Sequence, residues 1–371
     1  MLLESIFSTT LKSFLYGTSC VIKEALIFSL PIVIFSLVYS AVARLGLNAL
    51  KFVLIIIPLV CCSNFLNTNL SYLSSLLFVN MGLITIGEHQ NSVSELLPMF
   101  TCSLPKIISN DIALLLGFTV GFASVLLKKE KLSNKISAVL EAITGHFFKW
   151  LVPIMPLFII GTAIKLQHDG ILRVILTKYL AVFGFFVISA YGVLCLQYIL
   201  LAGLNLKKFV NSIKNVLPAV ITGFGSMSSA AALPLSIKAA ENNVLYDKDS
   251  ARMIVPATVN IHLVGDCFFI PMVALTMMFS FGLEMPSIYN YSIFALYFVL
   301  AKFAVAAIPG GGILVMLPIL QTYLGFNDAM LGLITAIYIL FDPVITACNI
   351  LGNGAMAMIF DRIVNKVRRN Y

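Results

Sequence analysis

Charge is scarce in this sequence. Only 11% of its 371 residues are Asp, Glu, Lys or Arg, where a soluble domain carries roughly 25%, which argues against an ordinary cytosolic enzyme. The seven cysteines (Cys20, Cys61, Cys62, Cys102, Cys195, Cys267, Cys348) lie mostly inside apolar runs and show no CxxC or Cys/His spacing. They read as buried small hydrophobes, not as a disulfide framework or a metal site. No dinucleotide motif is present: the Gly-rich stretch at 308–312 lacks GxGxxG spacing, and His89 and His146 have no partners at ligand spacing. No hydrolase or kinase motif is found either, so an enzyme is not expected. The opening MLLESIFSTTLKSFL has no small-residue cleavage site after a long apolar core, so a cleaved signal peptide is not expected. Apolar residues fill the space that charge leaves, at 60% of the chain and a mean hydropathy of +1.00. A bilayer core takes roughly 20 apolar residues per helix at about 1.5 Å each, and the chain holds several such runs. The expected fold class is an all-α polytopic membrane protein.

The 24 Lys and Arg outnumber the 16 Asp and Glu, leaving +8. In a soluble protein that balance suggests nucleic acid; here the bases sit in short inter-helix segments, as the positive-inside rule requires, so no nucleic-acid partner is expected. A span at about 20–43 ends at Arg44 and Lys51, and one at 110–127 ends at Lys128, Lys129, Lys131 and Lys135. Spans at 148–166 and 175–204 lead to Lys207, Lys208 and Lys214, and the chain closes on Arg362, Lys366, Arg368 and Arg369. Four basic clusters agree on one orientation with the C-terminus in the cytoplasm, and a bacterial inner membrane is the expected location. A further apolar stretch covers 52–84, and 130–147 alternates with helical period as an amphipathic connector. Residues 1–19 are too short to span and are set apart as an interfacial or incomplete segment. Residues 20–204 form one unit and 205–371 a second.

The second unit differs in kind, because its apolar stretches are interrupted by small and polar residues at mid-membrane. GFGSMSSAAALP (223–234) lies within 207–241, and AAIPGGG (306–312) lies within 291–324, each between arms too short to cross alone. Both are expected to be re-entrant hairpins, tolerated only where their backbone is buried in protein or lines a cavity. Small-residue packing between whole helices is the plainer alternative. Two interrupted segments in corresponding positions point to an inverted-repeat transporter. Between and after them lie VNIHLVGD (259–266), in a segment at 250–283, and DPVITACNILGN (342–353), in a helix at 328–366. Asp342, Thr346, Asn349 and Asn353 fall at offsets 0, 4, 7 and 11, one stripe at about 100° per residue, and are expected to form one polar wall.

These motifs resemble the dicarboxylate/amino acid:cation symporters, the family that includes the glutamate transporters. SLPIVIFSLVYSAVARLG (29–46) is similar to the family's second helix. SMSSAAALP (226–234) is similar to its first hairpin tip, Asn260 falls on the asparagine of its unwound helix, and IPGGG (308–312) resembles its second tip. Asp342, Asn349 and Gly352 match its eighth helix. The resemblance implies an elevator-type homotrimer with a scaffold and a mobile transport domain, moving an amino acid or dicarboxylate. It assigns Ser228, Ser229 and Asn349 to the substrate α-carboxylate, Asp342 to the α-ammonium, Thr346 to the pocket wall, and Ile308 to Gly312, including Gly311, to the gate. No cofactor is implied beyond Na⁺ or H⁺ as coupling ion, with Thr258, Asn260, His262, Asn349 and Asn353 at the cation-coupling positions.

The sequence departs from that pattern. The arginine that recognises a side-chain carboxylate is replaced by Ile345, and the first-hairpin arginine by Met227, which favours a neutral amino acid over glutamate or another dicarboxylate. Two sodium-binding aspartates fall on His262 and Asn353, and a serine near another sodium site falls on Lys302. Imidazole and ammonium are poor Na⁺ ligands, so Na⁺ coupling is expected to be weakened and H⁺ coupling to take its place. His262 and Asp266, at i and i+4, are a candidate pair on one helical face; Lys302 is a candidate for snorkelling to an interface. The family's first helix has no full counterpart, which touches the trimer more than the pocket. A channel and a non-transporting relative remain the rival functions.

Overall fold

The computed structural model describes residues 7–43, 50–83, 96–105, 108, 110–127, 130–168, 171–246, 248–305 and 311–369, and all regular structure among them is helical. Helix α1 (Thr9–Ala43) packs along α3 (Asn110–Leu126) and α4 (Glu130–His168). Residues 9–19, set apart by the sequence reading, are simply the first turns of α1. The amphipathic connector and the following span are likewise one helix, α4, since no stop signal separates them and Pro153 and Pro156 are absorbed in its interior. After α5 (Ile171–Phe186), one π-turn at 187–191 carries the rod on into α6 (Gly192–Leu201).

Three of these helices and the π-turn carry large apolar side chains outward: Ile112, Leu115 and Val120 on α3, Trp150 and Ile154 on α4, Ile188 in the π-turn, and Leu196 and Leu200 on α6. Ile188 is 73% exposed. Such faces are a liability in water and the natural exterior in lipid, where the helices satisfy their own backbone groups. Among the described residues, Tyr179–Leu201 and Asp328–Lys366 are individually long and apolar enough to cross a membrane. The cysteines are less uniform than expected. All seven are free, yet only Cys267 and Cys348 are buried, while Cys102, outside any helix, and Cys62 and Cys195, on helices, are exposed.

The second half is built around two helical hairpins and a broken helix. Helix α7 (Leu206–Ser226) starts at Asn205, whose side chain accepts from the Lys208 N–H at 3.1 Å, and stops where Met227 takes a left-handed conformation. Helix α8 (Leu233–Asn243) doubles back along it: Asn243 is bonded to Asn215 at 2.7 Å and to the Ser212 carbonyl at 3.1 Å. Helix α9 (Lys248–Thr258) unwinds at 259–263 before the chain resumes as α10 (Val264–Ser280). The second hairpin comprises α11 (Ile288–Ala301), a 3₁₀ turn at 302–304, α12 (Gly311–Leu314) and α13 (Leu317–Leu324). Helix α14 (Asp328–Arg369) closes the chain.

Helix α10 is the axis of the core, buried at every residue from Val264 to Met278. Helix α2 (Leu50–Asn80) lies along it and turns a stripe of small polar groups inward: Asn64, Asn67, Thr68, Ser71 and Ser75 are all fully buried. Ser71 donates to the Phe268 carbonyl at 2.6 Å, and the Tyr291 hydroxyl of α11 donates to the Thr68 carbonyl at 2.6 Å. Tyr191 and Tyr198 fasten the α5–α6 rod to α14 by donating to the Val344 and Leu351 carbonyls at 2.8 and 3.0 Å.

Candidate functional site

The break in the α9–α10 rod sets the site. The first turn of α10 leaves N–H groups without intrahelical partners, and Asn349 of α14 supplies one: its Oδ1 accepts from Gly265 N–H at 2.8 Å and from Asp266 N–H at 3.4 Å. A Cβ at residue 265 would run into the Ile345 carbonyl, so glycine is what lets the two backbones approach.

A cleft opens beside this junction. The turn after α7 contributes Met227, Ser228 and Ser229; the unwound stretch contributes Asn260; α10 contributes Asp266. Helix α14 supplies the opposite wall with Tyr338, Asp342, Thr346 and Asn349, successive members of one stripe. The polar wall expected from the sequence thus lies along the cleft as far as Asn349. The Thr346 hydroxyl donates to Asp342 Oδ1 at 3.1 Å, and the Ser228 hydroxyl accepts from the Ala231 N–H at 3.3 Å, stiffening its own turn.

Two carboxylates, Asp266 and Asp342, face this space. Asp266 is held on three sides: by Lys302 Nζ at 3.2 Å, by the Tyr338 hydroxyl at 2.9 Å and by Asn349 Nδ2 at 3.5 Å. The Lys302 side chain is 0% exposed, with its ammonium 4.6 Å from the centroid of the Phe298 ring. Asp342 has Thr346 as hydroxyl donor. No Arg or Lys side chain lines the cleft among the described residues.

A second cluster lies behind Asn349. His262 is buried, with Nε2 2.9 Å from the Ser63 hydroxyl and Nδ1 3.3 Å from Asn353 Oδ1. Asn64 steadies the same stretch by donating to the Ile261 carbonyl at 2.8 Å. Thr258 is buried and its hydroxyl turns back to the Ile254 carbonyl at 2.8 Å, within its own helix. Ile308 lies outside the described residues, and Gly311 opens α12.

Two expectations are corrected. His262 and Asp266 do not pair with one another: the i, i+4 rule assumes continuous helix, and the backbone between them leaves the helix at 259–263, sending the imidazole towards α2 and the carboxylate towards the second hairpin. Lys302 does not snorkel; it is buried against Asp266. Tyr338, Ser63 and Asn64 were missed. The signal for Tyr338 was present, one turn before Asp342 on the same stripe. The polar periodicity of α2 in an apolar run was the signal for Asn64, while nothing local marked Ser63.

A lipid-compatible exterior around a buried, ion-paired polar cleft defines the class: a helical integral membrane protein whose chemistry sits in its core. The chain belongs to the sodium:dicarboxylate symporter family, which it matches over residues 6–363. It is 29% identical over 225 residues to excitatory amino acid transporter 1 of Homo sapiens, covering 60% of this chain and 40% of that protein. With excitatory amino acid transporter 4 of Rattus norvegicus it shares 28% identity over 219 residues, 58% of this chain and 38% of the relative. The chain therefore spans less than half the length of either relative. These relatives are transporters, not enzymes.

The family name implies Na⁺. Among the described residues, those that the resemblance assigns to the cation positions suit it poorly: the cluster around His262 offers an imidazole, two amides and a hydroxyl with no formal negative charge, and the one carboxylate of α10 already holds an ammonium. A Na⁺ cage wants several oxygens free to converge, preferably with net negative charge.

Proposed function

We propose that the chain is a secondary active transporter that carries a neutral amino acid across the membrane by an elevator-type movement of its second half, with the two helical hairpins re-entrant. The cleft supports this reading by itself. A zwitterionic amino acid needs one carboxylate for its ammonium and hydroxyl and N–H donors for its carboxylate. Asp342 stands on one wall, and Ser228 and Ser229 at the hairpin turn stand opposite. A second carboxylate on the substrate would meet no guanidinium, because Met227 lines the cleft and Ile345 is packed in the core. Asn349, already committed to Gly265 and Asp266, shapes the cleft floor. The misfit of the cation positions favours H⁺ over Na⁺ as the driving ion, with residual Na⁺ coupling as the alternative. A homotrimer is the proposed assembly, with the basic C-terminal turns on the cytoplasmic side.

A specific observation keeps an acidic substrate as second reading, since the relatives are named for excitatory amino acids. Purified protein in proteoliposomes separates the cases. Labelled alanine or serine should accumulate against its gradient when a pH gradient is imposed, and glutamate should not compete. Accumulation of labelled glutamate unaffected by neutral amino acids overturns the substrate assignment; a strict requirement for external Na⁺ with no response to pH overturns the ion; equilibration without accumulation identifies a channel.

A further inference from the structure

The Asp266–Lys302 pair is the least ordinary feature of the cleft, and its connections decide what it does. Lys302 stands where the first arm of the second hairpin ends, directly after Ala301. Gly312, the second residue of α12 on the returning arm, lies against the same carboxylate: a Cβ there would collide with Asp266 Oδ2 and with the Tyr338 hydroxyl. Both arms of the hairpin therefore converge on one carboxylate that lines the ligand cleft. Buried in a membrane protein, that carboxylate needs a compensating charge, from a proton, a mobile cation or a cation carried by the chain.

We propose that Lys302 is a tethered cation: its ammonium does for Asp266 what a free monovalent cation would otherwise have to do, neutralising the cleft wall and fastening the second hairpin against it. The inference rests on reading the cleft as a transporter's and explains the misfit with Na⁺. The ammonium supplies one positive charge and a hydrogen bond to Oδ2, Tyr338 donates to Oδ1, and the Phe298 ring covers the ammonium from its own arm. Because the charge is covalently attached to the hairpin, it cannot be titrated away by lowering external Na⁺. Moving the hairpin off the cleft instead requires a buried ion pair to separate.

The probe is Na⁺ itself, so the test needs no knowledge of the substrate. Thermal unfolding of the purified, substrate-free protein is followed in NaCl and in choline chloride at equal ionic strength. The wild type should unfold at the same temperature in both. Lys302→Ala, which leaves Asp266 exposed to a vacated space, should unfold earlier in choline and recover saturably as Na⁺ is added. Lys302→Ala combined with Asp266→Asn should lose that recovery. A wild type stabilised by Na⁺ as much as Lys302→Ala, a Lys302→Ala protein indifferent to Na⁺, or a recovery that survives Asp266→Asn each overturns the proposal. Should Lys302→Ala fail to fold, the charge-free pair Asp266→Asn with Lys302→Met keeps the volume. Backbone hydrogen exchange in α11 to α13 should then be several-fold faster than in the wild type, with α1 and α4 unchanged; wild-type exchange in α11 to α13 would show that the pair only fills space. Neither readout involves transport, so its failure and that of the substrate assignment are told apart.

Discussion

At the scale of residues, the two aspartates of the cleft have divided roles. Asp266 is compensated from within the protein by Lys302 and shaped by Tyr338 and Asn349, so its charge serves architecture first. Asp342, 4% exposed and four residues from its hydroxyl donor Thr346, is the carboxylate that the proposed function assigns to the substrate ammonium. Replacing Asp342 by Ala is predicted to weaken amino acid binding by on the order of 3 kcal/mol, the scale of losing one partner of a buried hydrogen-bonded charge pair. Calorimetric titration of the variant with the amino acid that stabilises the wild type checks this; unchanged affinity would remove Asp342 from ammonium recognition. Asp342 was legible in the sequence because an acid in an apolar helix has few reasons to be there. The partner of Asp266 was not, since Lys302 is 36 positions away and only the closed hairpin brings the two together.

At the scale of elements, the unwound stretch 259–263 organises the whole neighbourhood, and it is held from outside by α2. Asn64 donates to the Ile261 carbonyl, which has left its helix and has no ladder partner of its own to fall back on. Asn64→Ala is predicted to destabilise the protein by about 2 kcal/mol, the penalty for an unsatisfied buried acceptor, read as a lower thermal midpoint; a midpoint equal to that of the wild type would show that the stretch holds itself. The same element explains where helical reasoning succeeded and where it failed. Offsets along α14 put Asp342, Thr346 and Asn349, though not Asn353, along the cleft, because α14 is continuous from Asp328 to Arg369. The identical arithmetic misdirected His262 and Asp266 because their segment is not. In α4 the amphipathic connector and the span that follows it are one continuous helix of 39 residues.

At the scale of the molecule, an apolar exterior encloses a core whose polar groups run from Lys302 through Asp266 and Asn349 to Asn353, His262 and Ser63. That column crosses from the second hairpin to α2 through α10 and α14. The proposed assembly is checked by the mass of the detergent-solubilised protein: three 40.5-kDa chains are expected, and a single chain under conditions that preserve transport would refute the trimer.

The sequence by itself determined the solvent and the inventory. Sixty per cent apolar residues, gathered in runs long enough for spanning helices, point to a lipid-facing helical protein, and the interrupted segments with their acids and amides name the polar groups expected to gather inside. Tertiary structure decided which of those groups meet. Pairing across 36, 91 or 199 residues depends on how hairpins close and where a helix unwinds, and these are outcomes of packing that local periodicity does not encode. The ammonium of Lys302 is the clearest case: one more scarce charge along the chain, it becomes the counterion of the ligand cleft only because two arms of a hairpin bring it to Asp266.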